Sequence, residues 1–248
     1  MSVPHPLLPD LSNRLEAEEW MDDFSITDAR LTQALRDLHR INRLLGAHAA
    51  TDAVLDPELR QRDHVRLLDL GCGSGDYLVH LARRGAQFGC TMELIGVDAN
   101  PVTVGHARAH LDDRLSPSLR SQARVEIDDA LALPYPDNAV DVAHAALFLH
   151  HFHGDTAVRL LSEMQRVART GLLLNDLHRH LVAYVSIWLL SRALRMAPMV
   201  QQDGPMSVRR GFRKEELETL ARKSGLSSLS IRWHWAFRWT LSTIGNGE

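Results

Sequence analysis

The sequence predicts an α/β fold: a Rossmann-like seven-stranded sheet, mostly parallel with its last strand antiparallel, under a helical cap. Three observations predict it. Short apolar runs alternate with amphipathic helical stretches from residue 65 to 176, as in a parallel sheet covered on both faces. The first run ends in a glycine-rich loop that leads straight into a helical stretch. The tail, residues 226–244, alternates in polarity and carries Trp233, Trp235, Phe237 and Trp239, the texture of late edge strands.

Each element follows from local signals. Residues 1–10 hold three prolines and read as an extended arm, and residues 11–60 read as helices. Leu31, Leu35, Leu38, Ile41, Leu44 and Leu45 recur at steps of three and four and give one apolar stripe, with Gly46 as its stop. Asp56-Pro57 reads as a turn or helix start. Strands are expected over 65–70, 93–97, 124–127, within 139–149, and over 171–176. A helix is expected over 77–84 with Gly85 as its cap. Asn100-Pro101 reads as N-cap and first helical residue, and 155–169 as a further helix. An apolar helix over 181–197, an SVRRGF loop over 207–212 and an amphipathic helix over 215–223 complete the chain. The domain reading is an arm and helical cap over 1–60, then a cofactor-binding domain over 61–248 with a cap insertion at about 178–212.

Three motifs carry chemistry. In LLDLGCGSGDY, Asp69, Gly71, Gly73 and Gly75 form an acid-x-Gly-x-Gly-x-Gly run between strand and helix. The dinucleotide fingerprint needs a glycine at 76, where this chain has Asp76, an unfavourable neighbour for a pyrophosphate. The loop suits a ligand bearing an ammonium and a sulfonium. In LIGVDANP, Asp98 ends the second strand and can accept both hydrogen bonds of a ribose diol. Asp129-Ala130 follow the third strand, where a carboxylate can accept from an adenine amino group.

These three signals, in this order and spacing, resemble the class I S-adenosylmethionine-dependent methyltransferases. LPYPDNAVDVAHAALFLHHF is similar to the ubiquinone and menaquinone biosynthesis branch. NDLHRHLVAY with DGPMSVRRGF is similar, more weakly, to methyltransferases associated with type III polyketide synthases. The resemblance implies S-adenosylmethionine as cofactor and S-adenosylhomocysteine as product. It implies that Asp69, Gly71, Gly73 and Gly75 border the methionine portion and that Asp98 holds the ribose, with Ala99 beside the adenine. Asp129 and Ala130 would contact the adenine; Ala146 and Leu147 would lie near the transferred methyl.

Methyl transfer to oxygen benefits from a base, and histidine suits neutral pH. Two histidine clusters follow strands four and five, at 148–153 and 175–180. The preferred pair is His150 or His151 as base, with Asp176 or His178 orienting it; each also fits a packing role. Helix 181–197 reads equally as an apolar pocket wall and as a packing or dimer helix, so a homodimer stays open. Arg209 and Arg210 suit either an acceptor carboxylate or an exposed loop. The expected acceptor is a small, apolar aromatic or polyketide-like molecule methylated on a hydroxyl. Carbon methylation of a quinone precursor and a non-methylating cofactor-binding scaffold are the alternatives.

Composition narrows the field. The 248 residues are 45% hydrophobic and 24% charged, enough for one core. A net charge of −3 with no basic stripe speaks against nucleic acid. Cys72 and Cys90 show no metal-ligand spacing, so no metal is expected. The longest uncharged apolar run, 181–191, is too short to span a bilayer, and the N-terminus lacks a leader pattern, which points to the cytoplasm.

Overall fold

A computed structural model describes residues 9–245. The strands are β1 (His64–Leu70), β2 (Thr91–Asp98), β3 (Ala123–Ile127), β4 (Val140–Ala146), β5 (Ala168–Leu177), β6 (Ser230–His234) and β7 (Arg238–Ser242). They form one sheet in the order β3-β2-β1-β4-β5-β7-β6. Pairs β1 to β5 are parallel, and β7 runs antiparallel between β5 and β6. Strand order reverses between β1 and β4, and a ligand crevice opens beyond the carboxyl ends of strands at such a point.

The helices are α1 (Ala29–Leu44), α2 (Ala47–Gln61), α3 (Asp76–Phe88), α4 (Pro101–Arg114), the short α5 (Pro117–Arg120), α6 (Gly154–Val167), α7 (Leu181–Ala193), α8 (Pro198–Arg210) and α9 (Lys214–Lys223). Two apolar layers sandwich the sheet. One joins Leu68, Ile95 and Leu174 to Leu160, Leu161 and Phe212; the other joins Leu67 and Leu94 to Leu55, Leu59 and Leu78. A third cluster, Leu31, Leu35, Ile41, Met199 and Val200, packs α1 on α8 above the crevice. Each such fully buried side chain contributes about 2 kcal/mol.

Several local expectations are corrected. The first eight residues of the proline-bearing arm lie outside the described range. Residues 11–28 are not α-helical: they cross the protein as an irregular segment with one 3-10 turn, Trp20–Asp22. Arg14 fastens it, its Nη2 donating to the carbonyls of His150 and Phe152 at 3.0 Å each. Leu44 of the predicted stripe is exposed. Pro57 lies inside α2 rather than at a boundary; its ring is exposed, and Leu55 and Leu59 anchor the helix on the buried side. Gly85 is not a cap. It is buried within α3, where a Cβ would strike Met92, and Gly89 (φ +75°) ends the helix. Helix 181–197 is α7 alone, stopping at Ala193. The stretch read as a loop with Arg209 and Arg210 is the end of α8, and Arg210 is buried.

Candidate active site

One cavity of about 970 Å³ lies between the carboxyl ends of the strands and the layer of α1, α7 and α8. Its floor is the loop after β1. Gly71, Gly73 and Gly75 adopt φ of +64°, +53° and +76°, a region favourable only to glycine. A Cβ on Gly71 would overlap the Phe148 ring, whereas one on Gly73 would meet nothing within 4 Å. Gly75 does not line the cavity; it starts α3, where a Cβ would crowd Leu111 of α4.

Asp98 fastens this loop to β2. Its carboxylate accepts from Gly73 N at 3.1 Å and Asn100 N at 2.9 Å. Burial pushes the carboxyl up, with the two amide donors opposing. Asn100 then caps α4 by accepting from Val102 N at 2.9 Å, and Pro101 opens that helix as expected. Ala99, Asp129 and Ala130 line the same end, the Asp129 carboxylate accepting from Leu131 N at 2.8 Å. Ala146 and Leu147 line the wall after β4, and Leu147 is held at φ +53°, a conformation strained for a side chain this large. Asp69 lies deeper: His144 Nδ1 stands 2.7 Å from its carboxylate, and His144 Nε2 stands 3.2 Å from Thr51 Oγ1. Asp69, Asp76, Asp98, Asp128 and Asp129 give the floor a negative character. That set of acceptors fits a sulfonium, an ammonium and a ribose diol.

The opposite wall holds the histidines. The 3-10 turn Leu149–His151 follows β4. Asp176, at the end of β5, accepts from His150 N at 3.1 Å and has His150 Nδ1 at 2.7 Å. Burial alone would raise Asp176; His150 and the amide donors bring it below its ordinary value. His150 is itself 2% exposed, and its Nε2 is enclosed without a hydrogen-bond partner, 3.7 Å from Glu19. His151 is more open, its side chain 23% exposed and facing the cavity. Its Nδ1 is 2.7 Å from Asp22, a partner from the 3-10 turn near the N-terminus. Burial opposes ionisation of Asp22, but His151 and Arg210 hold it far below the usual carboxylate range. The two imidazoles lie with centroids 4.3 Å apart, tilted by 33°. His178 is elsewhere: it accepts from Trp233 Nε1 at 3.2 Å and lines a separate groove with Arg179 and Arg213.

Glu19 and Asp22 escaped the sequence reading. Burial pushes Glu19 up to about 7, against the pull of His151 and Arg210 and the hydroxyl of Ser207. Arg210 Nη1 reaches Asp22 at 2.7 Å and Glu19 at 3.6 Å. Ligating atoms of Glu19, His150 and His151 lie within 4.8 Å of one another, yet Arg210 already supplies the cation beside them. A second such group, His39, Asp76 and His110, is joined by a short His39–Asp76 ion pair. His48, another lining residue, is kept neutral because burial pulls it down to about 4.

With this geometry in place, a family model described as a methyltransferase domain matches residues 67–171, from the glycine loop to the start of β5. Over these residues the chain carries a methyltransferase domain of the class I S-adenosylmethionine-dependent kind. The cofactor of this family is S-adenosylmethionine, in agreement with the acidic floor. Ajmaline N-methyltransferase of Rauvolfia serpentina is 30% identical over 51% of this chain and 40% of its own length. A ubiquinone/menaquinone biosynthesis C-methyltransferase of Burkholderia mallei is 33% identical over 51% of this chain and 48% of its own. The chain thus spans under half the length of these curated relatives. Among solved structures, an O-methyltransferase family protein from Burkholderia thailandensis aligns with a TM-score of 0.65 at 17% identity, over 95% of this chain and 66% of its own, a likeness of fold. Among the described residues, no helix is long and apolar enough to cross a membrane.

Proposed function

We propose that this chain methylates a hydroxyl oxygen of a small, apolar aromatic or polyketide-like acceptor. The observation that carries this reading is the His151–Asp22 pair on the wall of a largely apolar cavity, opposite the acidic cofactor floor. When bound, S-adenosylmethionine supplies an already activated methyl group. The protein's task is to align the acceptor and take its proton. Asp22 accepts from His151 Nδ1, which leaves Nε2 as the acceptor for a hydroxyl proton. Asp176 and the carbonyl contacts of Arg14 and Arg210 hold the histidine turn in place. Leu35, Leu38, Ile41, Ile187 and Leu190 line the cavity with hydrocarbon, which suits an aromatic acceptor and excludes water. In this reading α1, α7 and α8 form the acceptor cap, and the Rossmann-like sheet holds the cofactor.

Carbon methylation of a quinone precursor is the second reading, favoured by the similarity to the Burkholderia mallei C-methyltransferase. Incubation with methyl-labelled cofactor and a panel of alkylated phenols and quinols, followed by mass spectrometry, separates the two. An ether product is expected. A ring-methylated product would refute oxygen transfer, and no labelled product from any acceptor would count against catalysis.

A further inference from the structure

Among the described residues lining the main cavity there are eight carboxylates and only one arginine or lysine, Arg238. It is the first residue of β7 and follows a turn in which Ala236 and Phe237 are held at φ +61° and +56°. Two adjacent left-handed non-glycine residues are costly, and such strain gathers where a side chain must be aimed. The guanidinium is buried, with the residue 2% exposed. Its Nη2 donates to Asn42 Oδ1 at 3.3 Å, but Nε and Nη1 find no acceptor. No carboxylate among the described residues pairs with it. Asp176, the acid that acts on it through space, is committed to His150.

A buried guanidinium cannot shed its charge and is costly without a counter-ion. Every other buried arginine near the site has a carboxylate: Arg210 has Asp22, and Arg179 has Glu216 at 2.6 Å. Arg238 therefore lacks the partner that the rest of the molecule provides. Its neighbour Tyr77 sits in the first turn of α3, directly after the glycine loop. This places the free cation beside the floor that receives the amino-acid end of the cofactor.

We propose that Arg238, steadied by Asn42, is a carboxylate-binding subsite of the cavity. The inference rests on the methyltransferase reading. Two ligands can bring the carboxylate: the methionyl group of the cofactor, or an acidic acceptor.

Calorimetry on the full chain with R238M and R238K separates them. If the cofactor is the source, R238M binds S-adenosylhomocysteine about 10- to 100-fold more weakly, the size of a charge-assisted hydrogen bond. Decarboxylated S-adenosylmethionine then binds wild type and R238M alike, and R238K recovers part of the loss. If the acceptor is the source, S-adenosylhomocysteine binding is unchanged, and 4-hydroxybenzoate binds loaded wild type but not loaded R238M. Equal binding of all three ligands by wild type and R238M overturns the subsite. Because the arginine lacks an acid partner, ligand-free R238M is expected to melt at or above wild type. A variant that unfolds or melts several degrees lower marks the guanidinium as a packing element and also overturns the proposal. Failure of wild type itself to bind S-adenosylhomocysteine is a different result: it removes the cofactor reading, and this subsite with it.

Discussion

Glu19 offers a direct test of the electrostatics on the acceptor wall. Its carboxyl is 5% exposed and is pushed from its ordinary value of 4.5 up to about 7, chiefly by burial. A raised carboxyl binds its proton more tightly folded than unfolded. The stability from that proton is therefore fully present below about pH 4.5 and is lost as pH rises through about 7. At about 1.4 kcal/mol per factor of ten, the displacement is worth about 3 kcal/mol in full, of which about 2.5 falls between pH 5 and pH 8. E19Q keeps the shape and can still accept from Ser207 Oγ, now 2.9 Å from Glu19 Oε1, but carries no proton to lose. Urea unfolding of wild type and E19Q at pH 5, 6.5 and 8 measures the difference, to which histidines remote from Glu19 contribute equally in both proteins. E19Q is expected to gain about 2.5 kcal/mol relative to wild type on going from pH 5 to pH 8. A difference that stays constant across this range would show that Arg210 and His151 neutralise the burial and would refute the reasoning.

The other predictions address chemistry and space. H151A should lower turnover about 100- to 10,000-fold while S-adenosylhomocysteine affinity by calorimetry stays within about twofold; unchanged turnover removes His151 as the base. D22N should lower turnover less than H151A, because the imidazole stays but its tautomer is no longer fixed. G71A should destabilise the fold by about 1 to 3 kcal/mol and weaken the cofactor, since its Cβ would overlap Phe148 at a left-handed φ; a variant with native melting and affinity contradicts the loop geometry. Leu190→Trp should raise KM for bulky acceptors without changing cofactor affinity, because Leu190 lines the cavity from α7; an effect on the cofactor alone would misplace the acceptor.

The glycine loop and the strand ends around it were legible because their signals are local. Asp69, Gly71, Gly73 and Gly75 sit within seven residues at the end of β1, Asp98 ends β2 and Asp129 follows β3, strands that periodicity alone marks. The seven-stranded, mostly parallel sheet with an antiparallel last strand was also expected, whereas the strand order came only with the structure. The histidine wall was not legible, because its contacts span the chain. Asp22 meets His151 across 129 positions, and Arg210 meets Asp22 across 188. Helix α8 was hidden by Asp203-Gly204-Pro205, which reads as a turn. The helix persists there because the Asp203 carboxylate accepts from Trp20 N and Met21 N at 3.1 Å each, and Gly204 lets Ile187 of α7 approach closely. Neither partner is visible from the local pattern. The histidine clusters were found, but periodicity could not say that Asp176 would take His150 and that His178 would turn to Trp233.

The irregular segment over residues 11–28 has a consequence for how this protein can change over evolutionary time. It joins α7 and α8 in lining one side of the cavity, whereas the opposite floor comes from the ends of β1, β2 and β3 and the loops after them. On the proposed reading, substitutions in the first group alter the acceptor wall and leave that floor intact. The methyltransferase model that matches this chain ends at residue 171, before α7 begins. On the proposed reading, the matched stretch is the donor module, and residues 11–28 with α7 and α8, outside it, meet the acceptor.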